Sequence, residues 1–192
     1  MKFITAIAII PILLIATGCS TTSNSVQYDS TPTNVINIQS ASADGKYKVR
    51  VEDFRMSATA ETSLLCRAMG EIDVAPGQSL EEFIKEALQE ELLEAGVYST
   101  TSPIIITGEI NRVSFSSVSS HWDIAMTLSS SNGTQYDVST NYKFKGSFDA
   151  WSACKNVANA FTPAVQDLLE IAISNPKFTT LIRNPELAEL NQ

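Results

Sequence analysis

Three cysteines, a single histidine and a pair of vicinal carboxylates are the residues of this 192-residue chain best suited to chemistry. A thiolate can be acylated, oxidised to a disulfide or bound to a metal, and an imidazole can move a proton near neutral pH. Cys19 follows Ala16-Thr17-Gly18, small residues that close a nearly unbroken apolar run from Phe3 to Ile15 behind the basic Lys2. Cys66 and Cys154 stand apart from it, and neither has a second ligand at metal-binding spacing, which argues against a metal site. Glu52 and Asp53 could be posed as a general acid and base, but strand neighbours point to opposite faces, so two solvated edge charges are expected. His121, beside Trp122 at a predicted strand entrance, is expected to be a surface turn residue and not a general base. The chain has no second histidine, no Gly-rich loop between strand and helix, and no serine in a nucleophile-elbow setting. The expectation is a protein that is not an enzyme, with no cofactor and no metal.

The apolar run is too short for a membrane span, which needs roughly twenty residues, and Pro11 interrupts it. A basic start, a short apolar stretch and small residues before a cysteine form a secretory signal with a lipobox. The segment resembles bacterial lipoprotein signals, which implies diacylation of the Cys19 sulfur, cleavage before it and acylation of the new amino group. Several acyl chains anchor stably where one is marginal. Ser20, where an inner-membrane retention signal has Asp, implies an outer-membrane anchor facing the periplasm. An ordinary cleaved signal peptide is the alternative. Loss of residues 1–18 removes Lys2 and no acid, so the formal charge moves from −8 to −9. Such a surface repels phosphate backbones, which makes nucleic acid a poor partner, and it disfavours direct adsorption of the folded domain to anionic lipid. In an oxidising compartment Cys66 and Cys154 are expected to pair as a disulfide, with two free buried thiols as the alternative.

Three regions follow: a signal peptide (1–18), a lipidated cysteine with a flexible tether (19–43), and a single folded domain (44–192). The tether is rich in Ser, Thr, Asn and Gln, with too little apolar surface to offset its ordering entropy; Val35 to Ile38 could dock as a short edge strand. Asp44-Gly45 signals a turn, and Tyr47, Val49, Val51 and Phe54 alternate with Lys48, Arg50 and Glu52 as a half-buried strand. Ser63 to Val74 is either strand or irregular arm. Ser79-Leu80-Glu81-Glu82 forms a capping box before a helix that buries Leu80, Phe83, Ile84, Ala87, Leu88 and Leu92 and stops at Gly96. Glu90, Glu91 and Glu94 oppose the macrodipole of that helix, a conflict read as a tolerated cost, with a contact surface as the alternative.

Ile104 to Val118 changes parity midway, which predicts a bulge near Asn111 or Arg112. Trp122, Ile124, Met126 and Leu128 share one face of the next strand, Asn132-Gly133 predicts a hairpin, and Tyr136, Val138, Tyr142 and Phe144 continue the alternation. A second helix is capped by Ser147 or Asp149, with Trp151, Cys154, Ala158, Phe161, Val165, Leu168 and Ala172 on its apolar stripe; at Pro163 it either kinks, as the continuing stripe favours, or restarts with Thr162 as cap and Pro163 at its first position. Phe178 to Ile182 is expected as a short edge segment. The fold class is α+β, an antiparallel sheet with two long helices on one face.

The order of elements, with Leu80-Glu81-Glu82-Phe83-Ile84-Lys85-Glu86-Ala87-Leu88 leading into Glu91-Leu92-Leu93-Glu94-Ala95-Gly96-Val97-Tyr98, resembles the YajG-type lipoproteins. It is more loosely similar to the auxiliary lipoproteins of ABC-type lipid transporters and to the TolB amino-terminal domain. Ile105 to Phe115, the Asn132-Gly133 hairpin, Tyr142 to Phe148, the helix to Ile173 and Pro176-Lys177-Phe178 follow the same succession. The resemblance implies the same α+β fold and an envelope address, and it supplies no catalytic motif. The reading of function is a lipid-anchored accessory or adaptor that binds an envelope protein. The alternative is a lipid or glycan carrier, with Ala150, Ala153, Ala158, Ala160 and Ala164 leaving room for an apolar ligand; close helix–sheet packing explains the same alanines.

Overall fold

The computed structural model describes residues 27–183; the signal segment, Cys19 and the frayed helical turn expected over Pro185 to Leu190 lie outside them. One four-stranded sheet carries the fold, in the order β1 (Arg50–Ser63), β2 (Ile105–Ser116), β3 (His121–Ser130), β4 (Gln135–Lys143). Helix α2 (Leu80–Glu94) lies between β1 and β2 in the chain, while α3 (Ala150–Asn159), α4 (Phe161–Ser174) and α5 (Phe178–Ile182) follow the sheet. The α+β class stands, but the sheet is mixed: β1 runs parallel to β2, and only β2, β3 and β4 form an antiparallel meander. The cause is the crossover, because α2 returns the chain to the end from which β1 started.

Alternation places the core. Trp122, Ile124, Met126 and Leu128 of β3 are buried with Tyr136 and Val138 of β4, and their odd-numbered neighbours face away. The parity change in β2 is absorbed at Asn111, which the register skips between Ile110 and Arg112. A second bulge brings both Val51 and Phe54 of β1 inward; it lies at Asp53, whose φ of 26° is left-handed. The Phe54 ring then lies over Gly108, where an added Cβ would come within 2.5 Å of it.

Above the sheet, Phe115, Trp122, Phe161 and Phe83 form a chain of rings with centroids 5.0, 5.1 and 5.2 Å apart. Trp122 donates from Nε1 to the Val157 carbonyl at 2.9 Å, so the helix backbone comes within hydrogen-bond reach of a sheet side chain. Ala153, Ala158, Ala160 and Ala164 are buried in this contact, the close-packing reading of the small residues. The second long helix divides at Ala160 into α3 and α4, with Pro163 inside the first turn of α4, where its missing N–H costs nothing. Ser79 caps α2 by accepting from the Glu82 amide at 3.3 Å, but the Glu82 carboxylate accepts from Lys85 instead of closing the box. Asp149 caps α3, accepting from the Ser152 amide at 2.7 Å.

Three expectations are corrected. Part of the expected tether is folded: α1 (Pro32–Ala41) is a helix, not an edge strand, with Thr31 as its cap and Ile38 and Asn34 buried. Phe178 to Ile182 is also helical, because Asn132 of the hairpin donates from Nδ2 to the carbonyls of Thr180, Leu181 and Arg183. Trp151 is exposed rather than on the buried stripe.

Candidate functional site

The face of the sheet away from the helices is polar, and its residues come from strict alternation. Asp123, Ala125, Thr127 and Ser129 of β3 lie directly opposite Asn141, Ser139, Asp137 and Gln135 of β4. Hydrogen bonds run across the strands: Asn111 donates to Thr127 Oγ1 at 2.9 Å, Thr127 donates to Asp137 at 2.7 Å, and Asn141 donates to Asp123 at 2.6 Å. Arg55 donates to Glu109 at 2.7 Å, and that bond holds the Glu109 carboxyl below the usual range. A shallow concavity of about 310 Å³ opens beside this pair, with Asp53, Thr107, Thr127 and Ser129 on its walls.

The sheet ends in two edges of unlike quality. β1 carries two register breaks, between Val51 and Phe54 and between Met56 and Glu61, and a bulged edge is a poor template for another strand. β4 pairs with β3 without interruption from His121↔Lys143 to Ser129↔Gln135, and its far side pairs with no strand among the described residues. Gln135, Asp137, Ser139, Asn141 and Lys143 are exposed along it.

Of the residues singled out in sequence, Cys66 and Cys154 are joined as a disulfide with Cα atoms 5.9 Å apart. His121 begins β3, and its Nε2 lies 2.9 Å from Asp123 Oδ2. That is the orienting half of an acid–base relay. The hydroxyl opposite it in register, Ser116, is engaged elsewhere, accepting from the Ser119 amide at 3.1 Å and the Ser119 hydroxyl at 2.7 Å. Glu52 and Asp53 are exposed, and Glu52 pairs with Arg50 at 3.1 Å. Among the described residues no cluster of three His, Cys, Asp or Glu could hold a metal, and no helix is long and apolar enough to cross a membrane.

Sequence reasoning passed over the role of Glu91. It lies fully buried on α2, where Oε1 accepts from the Tyr28 hydroxyl at 2.6 Å, Asn34 Nδ2 at 2.9 Å and the Thr31 amide at 3.1 Å. Three donors from the N-terminal segment thus converge on one carboxylate oxygen. Burial, and then the hydrogen bond to Glu91, push the Tyr28 phenol far above its ordinary value, so it stays a neutral donor. Burial and the neighbouring Asp29, Glu91 and Glu94 also raise the Glu90 carboxyl. The signal was Glu91's place one turn from Ala87 and Leu88, on the apolar stripe, where a solvated acid does not belong.

No family model and no curated protein matches this chain. Among solved structures it is similar to protein XCC0632 from Xanthomonas campestris, described under family-model DUF330, with 12% identity and a TM-score of 0.49. The match covers 76% of this chain and 89% of that one.

Proposed function

We propose that this protein is a lipid-anchored envelope lipoprotein, of the YajG-type pattern, that works by binding another protein and turns nothing over. In this reading acyl chains on Cys19 hold it to the outer membrane, and the polar outer face with the β4 edge receives the partner. The observation that carries it is the uninterrupted β4 edge, unpaired among the described residues, beside a face of hydrogen-bonding side chains. An open edge offers main-chain donors and acceptors to an incoming strand, which gives affinity without a deep pocket.

The test is photocrosslinking in cells from an unnatural residue at Gln135, Ser139 or Asn141, with Glu86 and Glu170 on the helical side as controls. One crosslinked species from the β4 positions, absent from the controls and abolished together with the cellular phenotype by Asp137→Arg with Ser139→Arg, is the expected result. Equal labelling from both sides would refute the face. Loss of phenotype in His121→Ala with the crosslink intact would point to catalysis instead.

A further inference from the structure

Four large apolar side chains are exposed around one end of the molecule: Leu65 at 67%, Val118 at 83%, Phe148 at 104% and Trp151 at 60%. They come from three separate segments that the fold takes trouble to gather. Arg67 donates from Nε to the Ser117 hydroxyl at 3.2 Å, from one terminal nitrogen to the Phe148 carbonyl at 3.1 Å, and from the other to the carbonyls of Ser117 and Ser147 at 3.0 and 3.3 Å. It does so from a left-handed backbone, φ 49°, which a non-glycine residue holds only when its surroundings impose it. The disulfide ties Cys66, next to Leu65, to Cys154, one turn along α3 from Trp151. Gly146 lies so close to Ser120 that an added Cβ would come within 2.5 Å of the Ser120 hydroxyl, which packs the β2–β3 turn bearing Val118 against the segment bearing Phe148.

We infer that this end of the domain is a membrane-contact surface that seats Phe148 and Trp151 in the headgroup region of a phospholipid bilayer. The inference rests on the lipid-anchor reading for its geometry. With Tyr28 pinned to Glu91, only the residues between Cys19 and Gln27 are left as leash, and an extended chain of that length spans at most about 30 Å. The start of α2 at Leu80 lies beside Leu64 at this end, and Glu91 is eleven residues further on, about 16 Å along the helix axis, so a chain of that length is long enough to let this end meet the bilayer that holds the anchor.

The chemistry of the patch fits that neighbour. Its apolar groups protrude and form no groove, and a tryptophan with one polar edge suits the water–lipid interface. Charge fits as well, against the expectation from the whole chain. The protein carries a net −8, yet the stretch from Lys143 to Lys155 has three lysines and one aspartate. Lys143, Lys145 and Lys155 are exposed, and with Arg67, whose hydrogen bonds all go to neutral oxygens, they form no ion pair among the described residues. The acids near these groups are Asp73, Asp149 and Glu71, the last bridged to Leu65; the four cations outnumber them and face lipid phosphates favourably even on an acidic protein.

The test uses the chain from Ser20 to Gln192, which contains every described residue, with a hexahistidine tag before Ser20. The tag is bound to vesicles of phosphatidylethanolamine and phosphatidylglycerol doped with a nickel-chelating lipid, half of the acyl chains being brominated. The expected result is quenching of tryptophan emission by the brominated lipid. Trp151→Phe removes that quenching, since Trp122 is buried in the core. Phe148→Ser lowers it at least threefold with an unchanged melting temperature. Emission identical in brominated and plain vesicles overturns the inference, as does self-association in solution that Trp151→Phe abolishes while quenching is absent. Acylation is read separately, from the intact mass of the full chain extracted from cells, so loss of the anchor reading and loss of the contact surface are distinguishable.

Discussion

Glu91→Ala removes the acceptor of three buried or half-buried donors at one stroke, Tyr28 Oη, Asn34 Nδ2 and the Thr31 amide, and should release the N-terminal segment from the domain. A donor left without a partner inside a protein costs about 1–3 kcal/mol, but the three share one acceptor and their costs do not add in full. A loss of about 3 kcal/mol is therefore expected, which for a domain of this length lowers the melting temperature by about 6–12 °C. The loss should be local in origin. Amides of α1 after Pro32 should exchange far faster in the variant, while those of β3, in the middle of the sheet, should change only as much as global stability falls. Tyr28→Phe deletes one donor and keeps the packing, so it should cost about 1–2 kcal/mol. Hydrogen exchange followed by mass spectrometry, with a thermal melt alongside, checks both. Wild-type protection of α1 in Glu91→Ala would refute the claim that this carboxylate holds the segment.

The remaining predictions concern the staple, the tyrosines and the one glycine under a ring. The disulfide closes a loop of sequence separation 88, worth about 4–5 kcal/mol in the chain-entropy model. Reduction, or Cys66→Ser with Cys154→Ser, should lower the melting temperature by roughly 10–15 °C, and the intact mass without reductant should be lighter than that of the reduced chain by two hydrogen atoms. Tyr28 and Tyr136 are both pushed above their ordinary value of 10.0 by burial, so above about pH 10 the unfolded chain releases protons that the native one keeps. Stability should accordingly hold near neutrality and fall as the pH rises beyond 10; a denaturant series that shows no fall, or the same fall in Tyr28→Phe with Tyr136→Phe, would count against it. Gly108→Val drives a side chain into the Phe54 ring and should cost about 1–3 kcal/mol, with part of the loss recovered in the double variant with Phe54→Ala.

Much of the architecture was legible because it rests on period and punctuation. The inward parity of β3 and β4, the bulge at Asn111 and the caps at Ser79 and Asp149 are local consequences of residue type, and each lies where the pattern puts it. The misses share another cause. The direction of β1 depends on which strand it meets after the α2 crossover, a non-local fact, although a helix between two neighbouring strands already favours parallel pairing. Composition argued against order in residues 19–43, since composition counts apolar groups; what orders α1 is one deeply buried apolar side chain, Ile38, joined to a set of polar bonds to a single acid about sixty residues away. The clue lay in the same helix. A carboxylate on the apolar stripe of α2, near the end where the macrodipole repels it, is doubly unfavourable alone, so its presence implied donors arriving from elsewhere. Tyr28, Thr31 and Asn34 are those donors, and the polar composition that suggested a free tether is what equips the segment to supply three hydrogen bonds to one buried carboxylate oxygen.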